Sequence, residues 1–141
     1  MNQITDHLWI GAIKDVSEED TSRFDRVHSV CQDTRKDNVG CHYTHVPLAE
    51  DVAAEQRWGG SCRYETFVQA AEGLYWALQN GETVLVHCHN GQNRSVSVAI
   101  AVLAARQHRG VAKVLDDVRA ARPVANPSER MSRYATRYAH N

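Results

Sequence analysis

No stretch of this chain is apolar for long enough to cross a bilayer: the longest such run, Val96 to Ala105, covers about ten residues where roughly twenty are needed. The first residues lack the basic-then-apolar pattern of a secretion signal, so a cytoplasmic location without a membrane partner is expected. Cysteine is scarce. Cys31, Cys41, Cys62 and Cys88 follow no regular spacing, and 141 residues are enough to bury a core without cross-links. Free thiols are therefore expected rather than a disulfide scaffold. No Cys-x2-Cys or His-x3-His pair occurs, and the adjacent His87, Cys88 and His89 cannot easily aim at one ion, so neither a metal nor another cofactor is expected. Internal repeats and low-complexity segments are also lacking, and the formal net charge is only −1.

What is present is ordinary for a globular protein, with 43% hydrophobic and 23% charged residues, and the length suits one domain over residues 1–141. The charge is uneven. Residues 1–93 carry 7 Lys/Arg against 14 Asp/Glu, whereas residues 94–141 carry 9 against 3. The basic C-terminal third, with Arg130, Arg133 and Arg137 on one helical stripe, reads either as the solvated faces of amphipathic helices or as an attraction for an anionic partner.

Along the chain, strands are expected over Gln3–Gly11, Arg26–Cys31, Cys41–Leu48 and Thr83–Val86. Helices are expected over Asp15–Phe24, where Ser17-Glu18-Glu19-Asp20 resembles a capping sequence, and over Arg63–Gln79, 94–107 and Val111–Arg122. A last helix should start at Asn126-Pro127, since asparagine caps well and proline suits a first turn. Ala49–Cys62 shows no periodicity and reads as a long loop, with Trp58 and Tyr64 either walling a pocket or joining the core. This alternation gives an α/β class: one domain, with a small, mostly parallel central sheet flanked by helices.

The chemistry concentrates in His87-Cys88-His89-Asn90-Gly91-Gln92-Asn93-Arg94-Ser95, which lies between the apolar strand Val84–Val86 and the apolar helix that follows. A loop that enters a helix N-terminus aims several unpaired N–H groups at one spot, and the helix dipole adds positive charge there, so the spot suits a phosphate. Cys88 at its mouth is a candidate nucleophile, because that environment favours a thiolate. Arg94 can hold two phosphoryl oxygens with its planar fork, Gly91 permits the turn, and Ser95 can donate a hydrogen bond to the sulfur. Residues 89–94 would then bind the phosphate, and His87, pointing back into the core, would support the loop. After Cys31, Cys41 and Cys62 the position of the arginine is taken by Asp37, Pro47 and Val68.

His87-Cys88-x5-Arg94-Ser95 resembles the signature loop of the cysteine-dependent protein phosphatases, and the small size resembles their dual-specificity branch. Leu8-Trp9-Ile10-Gly11 is similar to that branch's opening strand, Tyr43-Thr44-His45-Val46-Pro47-Leu48 to the strand leading into its general-acid loop, and Arg122-Pro123-Val124-Ala125-Asn126-Pro127 to its closing segment. The resemblance implies a phosphatase-like fold and hydrolysis of phosphotyrosine and phosphoserine/threonine in proteins through a phosphocysteine. It also implies an acid on a separate loop, which favours Asp51, although the acid three residues after Pro47 is Glu50. Cys31 is either a disulfide partner for Cys88 under oxidation or a small buried residue. Two other readings stand beside this one. The Gly-x-Asn-Arg order also resembles RNA 5′-tri- and diphosphatases of the same superfamily, which would suit a nucleic-acid partner. A phospho-residue binding module without turnover is the non-enzymatic alternative.

Overall fold

The first eleven residues form a hairpin rather than the single strand expected over Gln3–Gly11. In the computed structural model, which describes residues 1–140, β1 (Asn2–Thr5) turns back antiparallel onto β2 (Leu8–Ala12). The polar Thr5-Asp6-His7 makes the turn, with the Thr5 hydroxyl accepting from the His7 N–H. β5 (Val84–Cys88) lies between β2 and β3 (Arg26–Ser29), parallel to both, and β4 (His42–His45) flanks β3. The order is β1-β2-β5-β3-β4, with only β1 antiparallel. The sheet is thus mostly parallel, as its alternation with helices implied.

β5 alternates its side chains between two apolar layers. Val84 and Val86 join Leu8, Ile10 and the main helices in the larger core, while Leu85 meets Val27, Val16 and Phe24 in a smaller one. On the large side pack α3 (Tyr64–Gln79), α4 (Arg94–Gln107), α5 (Val111–Ala121) and α6 (Glu129–Ala139). α4 has buried residues at every position from Arg94 to Ala104, so it is the central helix that its nearly all-apolar sequence calls for.

Three expectations about helices are corrected. α1 covers Ile13–Glu18 and not Asp15–Phe24: the Asp15 carboxylate accepts the Ala12 N–H at the start, and the stretch expected as a capping sequence falls at the end of the helix. The stretch expected as a loop contains α2 (Val52–Trp58), started by Asp51 and built on helix-favouring Ala53 and Ala54. The cap of α6 is Ser128, whose hydroxyl accepts from Met131 N–H, and not Asn126. The Asn126 N–H donates to Gln92 O at 2.7 Å, which ties this residue to the phosphate loop ahead of the helix.

Candidate active site

β5 delivers Cys88 at the C-terminal edge of the sheet, its central strand placing the residue where parallel sheets bind ligands. The chain then turns through residues 89–93 into α4. Every carbonyl of this turn is engaged. The His87 ring N–H donates to Cys88 O, Ile13 N–H to His89 O, Arg122 to both Asn90 O and Gly91 O, Asn126 N–H to Gln92 O and Ser97 N–H to Asn93 O. The amides of His89 to Asn93 meet no acceptor among the described residues. A loop whose carbonyls are all tied back has its N–H groups free for an anion, and the start of α4 adds its dipole.

Arg122 is the main tie. Its buried guanidinium donates to Gly91 O at 2.7 Å, Asn90 O at 3.3 Å, Ile10 O at 3.5 Å and Asn2 Oδ1 at 2.8 Å, stapling the loop to β2 and the N-terminal strand. Gly91 is required here: its φ is 65°, and a Cβ on it would strike the Arg122 guanidinium and Gly11 O. Sequence reasoning gave Arg122 no role, because a residue acting some thirty positions from its target leaves no periodic or spacing signal.

Cys88 Sγ lies 3.1 Å from Ser95 Oγ, both buried. Arg94 is buried too, and its guanidinium reaches across to residues 32 and 48 on other segments. One terminal nitrogen, Nη1, donates to Gln32 Oε1 and to Leu48 O at 2.9 Å. Both protons of that nitrogen are then used, and the edge formed by Nε and Nη2 keeps its parallel donors for a ligand. Gln32 is a second residue that the sequence gave no reason to single out.

A cavity of about 360 Å³ opens here, lined by Arg94, His89 and Asn90 from the loop, Cys31, Gln32 and Asp33 after β3, and Glu50, Ala54 and Trp58 along α2. The two candidate acids are separated by this geometry. Glu50 lines the cavity, with the Asn93 amide 3.5 Å from its carboxylate, whereas the Asp51 carboxylate accepts the Ala54 N–H at 2.8 Å as the cap of α2. Asn93 is not among the residues lining the cavity: its Nδ2 reaches Glu50 and its Oδ1 accepts from Ser128 N–H at 2.7 Å, while Gln92 lines a different hollow beside Arg122. Cys31 lines the cavity, and burial pushes its thiol pKa up. Tyr64 lies elsewhere, packed against Phe67 and Tyr134.

His87 is fully buried. Because a carbonyl only accepts, the proton must sit on Nδ1, and Nε2 has no partner among the described residues. Burial lowers its pKa to about 4, so the ring is neutral at pH 7. On α6, Arg137 stacks over Tyr64 at 3.9 Å, Arg133 pairs with Glu129 and Arg130 reaches the Tyr134 hydroxyl, so the basic stripe is largely engaged within the molecule.

The family model described as dual specificity phosphatase, catalytic domain, matches residues 2–139. Human dual specificity protein phosphatase 22 is 28% identical over 131 residues, covering 91% of this chain and 67% of that protein; the mouse protein of the same name is 31% identical over the same shares. Among solved structures, human DUSP28 superposes with a TM-score of 0.81 at 21% identity, covering 99% of this chain and 95% of that one. A mouse putative dual specificity phosphatase complexed with zinc tungstate gives 0.79 at 21% identity, covering 98% and 85%. At such identities the structural likeness carries the fold alone.

Proposed function

The chain belongs to the dual specificity phosphatase catalytic-domain family of cysteine-dependent protein phosphatases, and from that premise we propose that Cys88 performs a two-step hydrolysis of phosphorylated proteins at the cavity. The observation that carries the reading is the loop in which every carbonyl from Cys88 to Asn93 is tied back while the cysteine sulfur stands beside the Ser95 hydroxyl.

In the first step the Cys88 thiolate attacks phosphorus, the ester P–O bond breaks, and its electron pair leaves on the substrate oxygen, which takes a proton from a carboxylic acid. The loop amides and the Nε/Nη2 edge of Arg94 hold the three equatorial oxygens. In the second step water attacks the phosphocysteine, gives its proton to the same carboxylate and releases phosphate. The Ser95 O–H donates to the departing thiolate. Gln32 and Leu48 O fix the plane of the Arg94 guanidinium, and a neutral acceptor such as Gln32 leaves its charge undiminished for the anion.

Glu50 is the better supported proton donor, because it lines the cavity while Asp51 is occupied as a helix cap. With a poor leaving group such as a phosphothreonine peptide, Glu50→Gln should lower kcat by roughly 10²- to 10⁴-fold. Asp51→Asn should act on kcat far less, since asparagine also caps well. The opposite ranking moves the role to Asp51, and no effect from either variant removes both acids. The nucleophile is tested by the burst of p-nitrophenol from p-nitrophenyl phosphate, which must vanish in Cys88→Ser; inhibition by tungstate, the oxyanion in the related mouse structure, should compete with substrate. Residues 1–141 act in this reading as one catalytic domain, and four free cysteines suit a reducing compartment such as the cytoplasm.

A further inference from the structure

α2 presents three residues to the cavity at four-residue spacing: Glu50 just ahead of the cap, Ala54 one turn in, and Trp58 at the last helical position. Four residues advance a helix by about 6 Å and return to the same face. The stripe therefore runs from the half-buried acid beside the phosphate loop, past a small buried side chain, to an indole that is 62% exposed. Exposing so large an apolar group is unfavourable, and its placement beside the catalytic arginine's cavity gives it a ligand to meet. The Arg57 guanidinium lies over the ring, 5.0 Å from its centroid, and covers one face. No other aromatic ring packs on Trp58 among the described residues, most of the indole is exposed, and the short side chain of Ala54 is its neighbour on the cavity wall.

We propose that Trp58 is a specificity-determining residue whose exposed indole takes the phenyl ring of phosphotyrosine, so that this site favours aryl over alkyl phosphate esters in proteins. This deepens, and rests on, the phosphatase reading above. A phosphotyrosine carries its phosphate at the end of a flat ring, so a phosphate held between Cys88 and Arg94 leaves that ring in the slot along α2. Offset or edge-to-face contact with an indole then adds binding that a phosphoserine or phosphothreonine side chain, with no ring, cannot gain. A ring contact kept into the transition state raises kcat/KM for the aryl ester and leaves the chemistry at phosphorus as it is.

The test is Trp58→Ala, assayed on one peptide carrying either phosphotyrosine or phosphothreonine at the same position. The ratio of kcat/KM for the tyrosine over the threonine ester should fall roughly three- to tenfold, the size of an aromatic pair, and Trp58→Phe should restore most of it. In the Cys88→Ser background, which traps substrate without turnover, affinity for the phosphotyrosine peptide should fall by a similar factor on adding Trp58→Ala. An exposed position makes misfolding an unsuitable explanation, and an unchanged thermal midpoint verifies that. A ratio that stays constant, whether both esters weaken together or neither does, overturns the proposal and makes Trp58 a general rim contact. Absence of Cys88-dependent turnover of both esters in the unaltered protein is a different failure, which overturns the catalytic reading and this one with it.

Discussion

A buried arginine has five N–H donors to satisfy, and Arg122 spends four hydrogen bonds on the carbonyls of Asn90, Gly91 and Ile10 and on Asn2. Its charge thereby sits behind the phosphate loop, adding to the potential an anion meets there, while its geometry turns the loop carbonyls away. The buried histidines obey a related rule. His28 donates from Nε2 to Ala70 O at 2.8 Å and accepts the Thr44 hydroxyl on Nδ1, and burial lowers its pKa to about 4, as it does for His87. Both pKa values lie below the unfolded value near 6.5, so as pH falls the unfolded chain binds protons that the folded one refuses. Stability should be full above about pH 6.5 and drop toward pH 4, by up to about 1.4 kcal/mol per pH unit for each ring. Urea unfolding at pH 7, 6 and 5 measures this; His87→Gln should shallow the slope, and a flat profile would contradict the assignment.

At the scale of elements, α3 carries a glycine in its interior, where alanine is ordinarily better by about 1 kcal/mol. A Cβ on Gly73, however, would stand 2.7 Å from His28 Cε1, and that ring is anchored at both nitrogens and cannot swing aside. Overpacking of this kind costs roughly 1–3 kcal/mol, which outweighs the gain in propensity. Gly73→Ala should therefore lower the stability measured by chemical denaturation, and a stabilised variant would show that α3 can shift away from β3. The same level holds most of the misreadings of the sequence. α2 is seven residues long, too short for an apolar stripe to stand out, and Ala54 is its one buried residue in place of a run of aliphatics. The start of α1 is set locally, by the Asp15 carboxylate accepting the Ala12 N–H three residues back, whereas Ser128 at the start of α6 is held by a distant segment, its N–H donating to Asn93 Oδ1.

For the whole molecule, β5 and α4 form the axis. The strand is flanked by neighbours on both edges, and the helix is enclosed by the larger core. Native-state hydrogen exchange should find its slowest amides in these two elements and its fastest in β1, whose edge is unpaired in the sheet order. Exchange from α4 as fast as from β1 would mean that the catalytic loop lacks a rigid base. The axis was legible in the chain. Continuous apolar composition around a short polar turn specified a buried strand, a loop and a buried helix, and the spacing of Cys88, Gly91, Arg94 and Ser95 pointed to the chemistry proposed for the loop, because one short turn carries all four residues. Tertiary structure alone decided what surrounds them. Arg122 behind the loop, Gln32 and Leu48 against Arg94, Glu50 rather than Asp51 facing the cavity and Trp58 at its rim are all placed by strand order and helix packing between distant segments. Such contacts leave no periodicity in a linear sequence, since each depends on which elements the sheet brings side by side.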